Sequence, residues 1–192
     1  MDELSEKDKF ELLRIARTSI EHGVKEHAPY SPDLVILNAT LNQDGACFCT
    51  LRMNDQLKGC IGTLEAFRPL AVDVAENSYA SGFRDTRFSN LVFSDLDKVD
   101  IELSILGKLT PIKNMDDTEL LRYLSKSKPG MVAQMGSHKG TFLPSVWDTL
   151  PEPSRFLEEL KKKAGLDPKE DSLNIQYNEY TVEKFAEKRN SI

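Results

Sequence analysis

Apolar residues recur at three- and four-residue steps from Phe10 through Leu13 and Ala16 to Ile20, the spacing of one helix face. Ser5 stands where an N-cap belongs, so a helix is expected from there to about His22. Gly23, Pro29 and Pro32 mark its exit. Residues 33–41 and 46–53 predict a hairpin around Asn42-Gln43-Asp44-Gly45. Asn54-Asp55 then turns the chain into residues 56–63, giving three consecutive antiparallel strands. Pro69 opens the next helix near its N1 position, with Leu70, Val74 and Ala75 inward. Its small residues Ala71, Ala75 and Ser78 suit close packing against a sheet.

Residues 99–106 alternate cleanly, Val99, Ile101, Leu103 and Ile105 facing one way and Asp100, Glu102 and Ser104 the other. Asp116 and Glu119 have capping-box spacing before Leu120, Leu121 and Leu124. Pro129-Gly130 turns into a strand over 131–135, and residues 136–140 form a tight loop leading into Thr141-Phe142-Leu143. A helix over 153–164 ends in three lysines, with Gly165 placed as its C′ residue. A last strand is expected over 175–185. Hairpins outnumber strand–helix–strand units, so the fold class is α+β, with mainly antiparallel sheet and packed helices.

A chain of 192 residues with 40% hydrophobic and 29% charged content suits a globular protein. The net charge of −6 argues against a nucleic-acid surface, which wants a basic stripe. No run approaches the ~18 apolar residues of a membrane span. The acidic N-terminus lacks an apolar signal region. Three closely spaced cysteines fit a reduced compartment better than a disulfide framework, so a cytoplasmic location is expected.

The candidate chemistry centres on Leu57-Lys58-Gly59-Cys60-Ile61-Gly62-Thr63. Two glycines flank a thiol, leaving the backbone open to close approach by a ligand or another chain. The competing reading makes Cys60 a small packing residue. With a two-residue turn at Asn54-Asp55, Leu51 faces Lys58, Cys49 faces Cys60 and Cys47 faces Gly62. Cys47 and Cys49 then read as a redox dithiol with Cys60, as part of a metal site that lacks a familiar ligand spacing, or as apolar fillers; the last is favoured, because buried cysteines are usually packing residues. Arg84, Asp85 and Arg87 form a charge cluster able to grip a carboxylate or phosphate, or to pin a loop to the sheet. His138, flanked by Gly136 and Gly140 on a hairpin tip, is a candidate base, ahead of His22 and His27. Glu65 is a candidate acid or base, though its reading as a solvated surface carboxylate is preferred. No phosphate loop, nucleophile elbow or HExxH occurs, so no cofactor is indicated.

The Cys60 segment resembles the Leu-Arg-Gly-Cys-Ile-Gly signature of the AMMECR-type domain family, also called AmmeMemoRadiSam system protein A. Residues 80–88 (Ala-Ser-Gly-Phe-Arg-Asp-Thr-Arg-Phe), 140–146 (Gly-Thr-Phe-Leu-Pro-Ser-Val) and 156–166 resemble three further family stretches in the same order. The resemblance covers about residues 8–186. Lys58 stands in place of an arginine and Thr86 in place of a proline; lysine keeps the charge but not the bidentate fork. The resemblance implies one AMMECR-type domain over 1–192 with two lobes, one built from both chain ends. The lobes expected are 45–110, and 1–44 plus 111–192. Residue chemistry and resemblance together give an expected site with Cys60 as the catalytic group and Lys58, Gly59, Gly62, Arg84, Asp85, Arg87, His138 and Thr141 as binding residues; the resemblance has Thr141 and Pro144 shape a cleft wall. The family carries no settled reaction; the first reading is an enzyme or enzyme component whose cleft centres on Cys60 and which acts on a small molecule or peptide end, and the resemblance implies a role in a linked modification pathway with Memo-type and radical-SAM proteins as partners. The alternative is a non-catalytic module that recognises a partner peptide, with Cys60 packed.

Overall fold

The structure, a computed structural model, describes residues 4–187. Its helices are α1 (Glu6–Glu26), α2 (Ala39–Asn42), α3 (Leu70–Phe83), α4 (Asp117–Ser127) and α5 (Pro153–Lys163). Its strands are β1 (Cys47–Met53), β2 (Gln56–Gly62), β3 (Val99–Leu106), β4 (Thr110–Pro111), β5 (Gly130–Met135), β6 (His138–Phe142), β7 (Gln176–Tyr180) and β8 (Val182–Ala186). The class is α+β, with two four-stranded sheets ordered β2-β1-β3-β8 and β4-β7-β5-β6. No helix of the described residues is long and apolar enough to cross a membrane. Two compact units form, one of described residues 4–106 with 183–187, the other of 107–182. The α1 residues therefore group with the first sheet, not with 111–182 as the expected lobes had it.

In the first unit, Ser5 caps α1 reciprocally: Asp8 N–H donates to Ser5 Oγ at 3.2 Å and Ser5 N–H to Asp8 Oδ2 at 2.9 Å. The helix runs past His22 to Glu26 and ends on His27 in the left-handed region. Its inward face is rotated from the expected one. Leu12, Ile15, Ala16, Ser19 and Ile20 are buried, whereas Phe10 is 70% exposed and Leu13 is partly covered. Two apolar stripes overlap on this helix, and period alone does not choose between them.

No strand forms over 33–41. Asn38 caps α2 instead, its side chain accepting from Leu41 N–H at 3.1 Å, and Val35 and Ile36 stand in solvent. The β1–β2 hairpin does turn at Asn54-Asp55, both with positive φ (53° and 62°), and Met53 pairs with Gln56. A bulge at Lys58 then shifts the register by one. Leu51 pairs with Gly59, Thr50 with Cys60, Cys49 with Ile61 and Phe48 with Gly62. The expected Cys49–Cys60 pairing is thereby replaced. Cys47, Cys49 and Leu51 point into the core, and Cys60 shares the opposite face with Thr50.

Helix α3 covers the core face of this sheet. Leu70, Ala71, Val74, Ala75 and Ser78 are fully buried. Pro69 is the N-cap residue, one place before the position expected for it. Strand β3 matches its predicted span, with Val99, Ile101, Leu103 and Ile105 in the core.

In the second unit, α4 starts on Asp116, whose side chain accepts from Glu119 N–H at 2.8 Å. Helix α5 ends on Gly165 at φ 76°. The loop expected over 136–140 is shorter: Gly136-Ser137 alone make the turn and His138 begins β6. Trp147 stacks on Phe156 at 3.7 Å and donates to the Pro129 carbonyl at 2.9 Å. The strand expected over 175–185 breaks at Thr181 into β7 and β8, which join different sheets.

Candidate functional site

The Cys60 peptide is pinned through both its N–H and its carbonyl by the loop that follows α3. Its N–H donates to Asp85 Oδ2 at 2.9 Å, and its carbonyl accepts from Arg87 Nη2 at 3.2 Å. Arg87 grips the same carboxylate bidentately, Nε to Oδ1 at 2.9 Å and Nη2 to Oδ2 at 2.7 Å. Asp85 is buried and Arg87 largely exposed. The guanidinium holds the Asp85 carboxyl well below the usual carboxylate range, with the Cys60 and Arg87 N–H groups adding to it against the opposing effect of burial. Ser81 continues the attachment: Ile61 N–H donates to its Oγ at 2.9 Å, and that hydroxyl donates to the Cys49 carbonyl at 2.8 Å. Strand β2 is a sheet edge, and the Asp85 and Arg87 contacts occupy Cys60 backbone groups that would otherwise face outward.

The glycines serve this attachment. A Cβ on Gly59 would stand 2.0 Å from the Ser81 carbonyl oxygen. One on Gly62 would stand 2.3 Å from the Phe48 ring and 2.5 Å from the Cys47 carbonyl. The space that the sequence reserves for a ligand or another chain is filled by the chain's own helix and ring.

The thiol itself is half-buried, with Sγ 3.4 Å from Thr50 Oγ1. Across the sheet Thr50 pairs with Glu102, which meets Lys184 at 3.4 Å. Cys47 and Cys49, unlike Cys60, are fully buried. Burial pushes the Cys47 thiol well above its ordinary range and Cys49 to about 12, so both stay protonated near neutrality. Lys58 Nζ donates to Ser89 Oγ at 2.8 Å, and the Arg84 guanidinium lies 4.9 Å over the Tyr79 ring. Glu65 is exposed. Cys60, Asp85 and Arg87 are thus brought together, with Lys58 reaching the same loop and Arg84 directed at Tyr79. His138, exposed at the start of β6, and Thr141 belong to the second unit. The Thr141 hydroxyl is engaged there by the Met131 carbonyl at 2.8 Å and by Tyr180 Oη at 2.9 Å.

Sequence reasoning missed the companion network at the start of α3. Asp73, fully buried, accepts from Cys47 N–H (2.9 Å), Thr63 Oγ1 (2.6 Å), Asn77 Nδ2 (2.9 Å) and Arg68 Nε (2.8 Å). The signal was present. Asp73, Asn77 and Ser81 recur every four residues along one side of α3, and Asp85 continues the spacing just past its end. That stripe stitches β1 and β2 to α3 from end to end. Among the described residues no group of three or more His, Cys, Asp or Glu side chains gathers to hold a metal ion.

The likeness to known proteins spans both units. A protein of Sulfolobus acidocaldarius is 34% identical over 174 residues, covering 82% of this chain and 71% of its own length. One from Methanocella arvoryzae is 31% identical over 172 residues, covering 86% and 83%. The crystal structure of the uncharacterised protein PH0010 from Pyrococcus horikoshii superposes with a TM-score of 0.79 at 26% identity, covering 92% of this chain and 90% of that one. The AMMECR1 family model matches residues 13–185, and the chain belongs to that family.

Proposed function

We propose that this chain is an enzyme or enzyme component working through the Cys60 thiol on a small molecule or peptide end, in a cytoplasmic modification pathway with Memo-type and radical-SAM proteins. The observation that carries this reading is the way Cys60 is held. Its thiol is half-exposed beside the Thr50 hydroxyl, while the peptide on either side is fixed by Asp85 and Arg87. A reactive group needs such a rigid support to hold its geometry. Arg87, 57% exposed and already on the Cys60 carbonyl, stands where a carboxylate or phosphate of the substrate would meet it. Lys58 adds a second cation on the same strand.

A second reading, a peptide-binding module with an inert Cys60, is favoured by one observation. Asp85, Ser81 and Arg87 all engage the chain's own backbone. Limited iodoacetamide labelling of the folded protein, mapped by mass spectrometry with Cys60→Ser as control, separates the two. Cys60 is expected to be alkylated first, with Cys47 and Cys49 protected until the protein unfolds. A Cys60 as slow as the two buried thiols would leave the binding-module reading.

A further inference from the structure

The sheet of the first unit ends at β8, and among the described residues no strand pairs with its outer edge. Glu187 N–H donates to the Ile101 carbonyl of β3 at 3.1 Å. Alternation along the strand then turns the backbone groups of Lys184 and Ala186 outward, and both residues are exposed. Beside this edge lies a cleft of about 750 Å³, floored by Phe10 and Leu13 of α1 and by Phe185. Phe10 is the mostly exposed aromatic left over from the apolar stripe that the core does not use. Two ion pairs strap α1 to β8, Lys9 to Glu183 at 2.8 Å and Arg17 to Glu187. Eight helical residues rise about 12 Å and four strand residues about 13 Å, so the straps match in length and bracket Phe185.

We propose that this edge takes a second copy of the chain, β8 pairing antiparallel with the other β8 about a two-fold axis at Phe185. The inference does not depend on the role of Cys60. The register follows from the residues. An axis at Lys184 would set that cation against its own image. An axis at Phe185 pairs Lys184 with the second copy's Ala186, twice over, for four main-chain hydrogen bonds. It also stacks Phe185 on its image over the shared cleft. Glu183 then falls beside the second copy's Glu187, and each brings its own cation. These two carboxylates meet like with like, and the cation each already holds on its own chain, Lys9 on Glu183 and Arg17 on Glu187, offsets their repulsion. Edge lysines commonly block such pairing. Lys184 does not, because its ammonium turns to Glu102 on the sheet face, 3.4 Å away.

Sedimentation velocity on the full chain over a wide concentration range tests this. The wild type is expected to pass from 21.7 kDa to twice that mass as concentration rises. Ala186→Pro removes an outward N–H at an edge position that tolerates proline, and should weaken dimerisation at least about tenfold with the thermal transition retained. Phe10→Glu, on an exposed side chain, should do the same, and decides alone should the proline variant fail to fold. A wild type that stays monomeric throughout, or a dimer as tight in the deciding variant as in the wild type, would overturn the proposal. A monomer that binds extended peptides at this edge also counts against it.

Discussion

Replacing Gly59 by alanine probes the joint between α3 and β2 with a single methyl group. The new Cβ would stand 2.0 Å from the Ser81 carbonyl oxygen and 2.9 Å from its carbon, both backbone atoms. Two responses are open. The helix end can retreat by about 1.5 Å to ordinary non-bonded separation. The Cys60–Asp85 and Ile61–Ser81 hydrogen bonds, each 2.9 Å now, would then pass beyond hydrogen-bonding range. One of them ends on a carboxylate, so the loss is about 2–4.5 kcal/mol. Otherwise the joint holds and absorbs the overlap as strain, about 1–3 kcal/mol for overpacking of this kind. The chain takes the cheaper route, so a loss of about 1–3 kcal/mol is expected, a fall in Tm of about 2–12 °C for a chain of this length. Urea unfolding followed by far-UV circular dichroism measures it, with Gln56→Ala on the exposed part of the same strand as reference. Iodoacetamide labelling separates the routes, because retreat of the helix speeds Cys60 alkylation and absorbed strain does not. A Gly59→Ala protein within about 0.5 kcal/mol of wild type would refute the claim that this close approach is tight.

Asp85→Asn should cost about 1.5–3 kcal/mol at pH 6, because it removes the anion that both Arg87 and the Cys60 N–H address, and urea midpoints will show it. The Asp85 carboxyl is lowered on folding, so its contribution is complete above the unfolded value of about 3.9 and drains away as pH falls below it. The gap between wild type and Asp85→Asn should therefore narrow between pH 5 and pH 2, and a constant gap would contradict the Arg87 assignment. Asp55→Gly should stabilise the β1–β2 turn by up to about 1 kcal/mol in thermal melts, since Asp55 sits at φ 62°, where glycine meets no Cβ penalty.

Patterns confined to one element were legible in the residues. Strand β3 alternates without a fault, and α5 carries proline at its start and glycine just past its end. Patterns settled between elements were not. Phe10 and Leu13 fit a helical stripe as well as Leu12 and Ile15 do, and only the position of α3 and the sheet decides which stripe is buried. Residues 34–37 are apolar enough for a strand, yet Pro32 and the Asn38 cap leave two of them in water. The bulge at Lys58 has no signature in Leu57-Lys58-Gly59, and it moved every cysteine partner by one place. The proximity of Asp85 to Cys60 was foreseeable, because α3 leaves β2 and returns beside it. The use of Asp85 and Arg87 to hold backbone was one of two readings open from their charges.

The passage between the two units has a consequence for how the chain assembles. Unit two is inserted between β3 and β8, strands that are neighbours in one sheet. Bringing those strands together across roughly 75 loose residues would cost about 4 kcal/mol of chain entropy. The Gly107 N–H donates to the Thr181 carbonyl at 2.8 Å, so the ends of the insertion are clasped at its base. Once the insertion has folded, the long loop shrinks to almost nothing, and β8 arrives at β3 nearly in place. During synthesis the insertion emerges before β8 does, so the order in which the ribosome delivers the residues is also the order that lowers the entropic barrier to closing the first sheet.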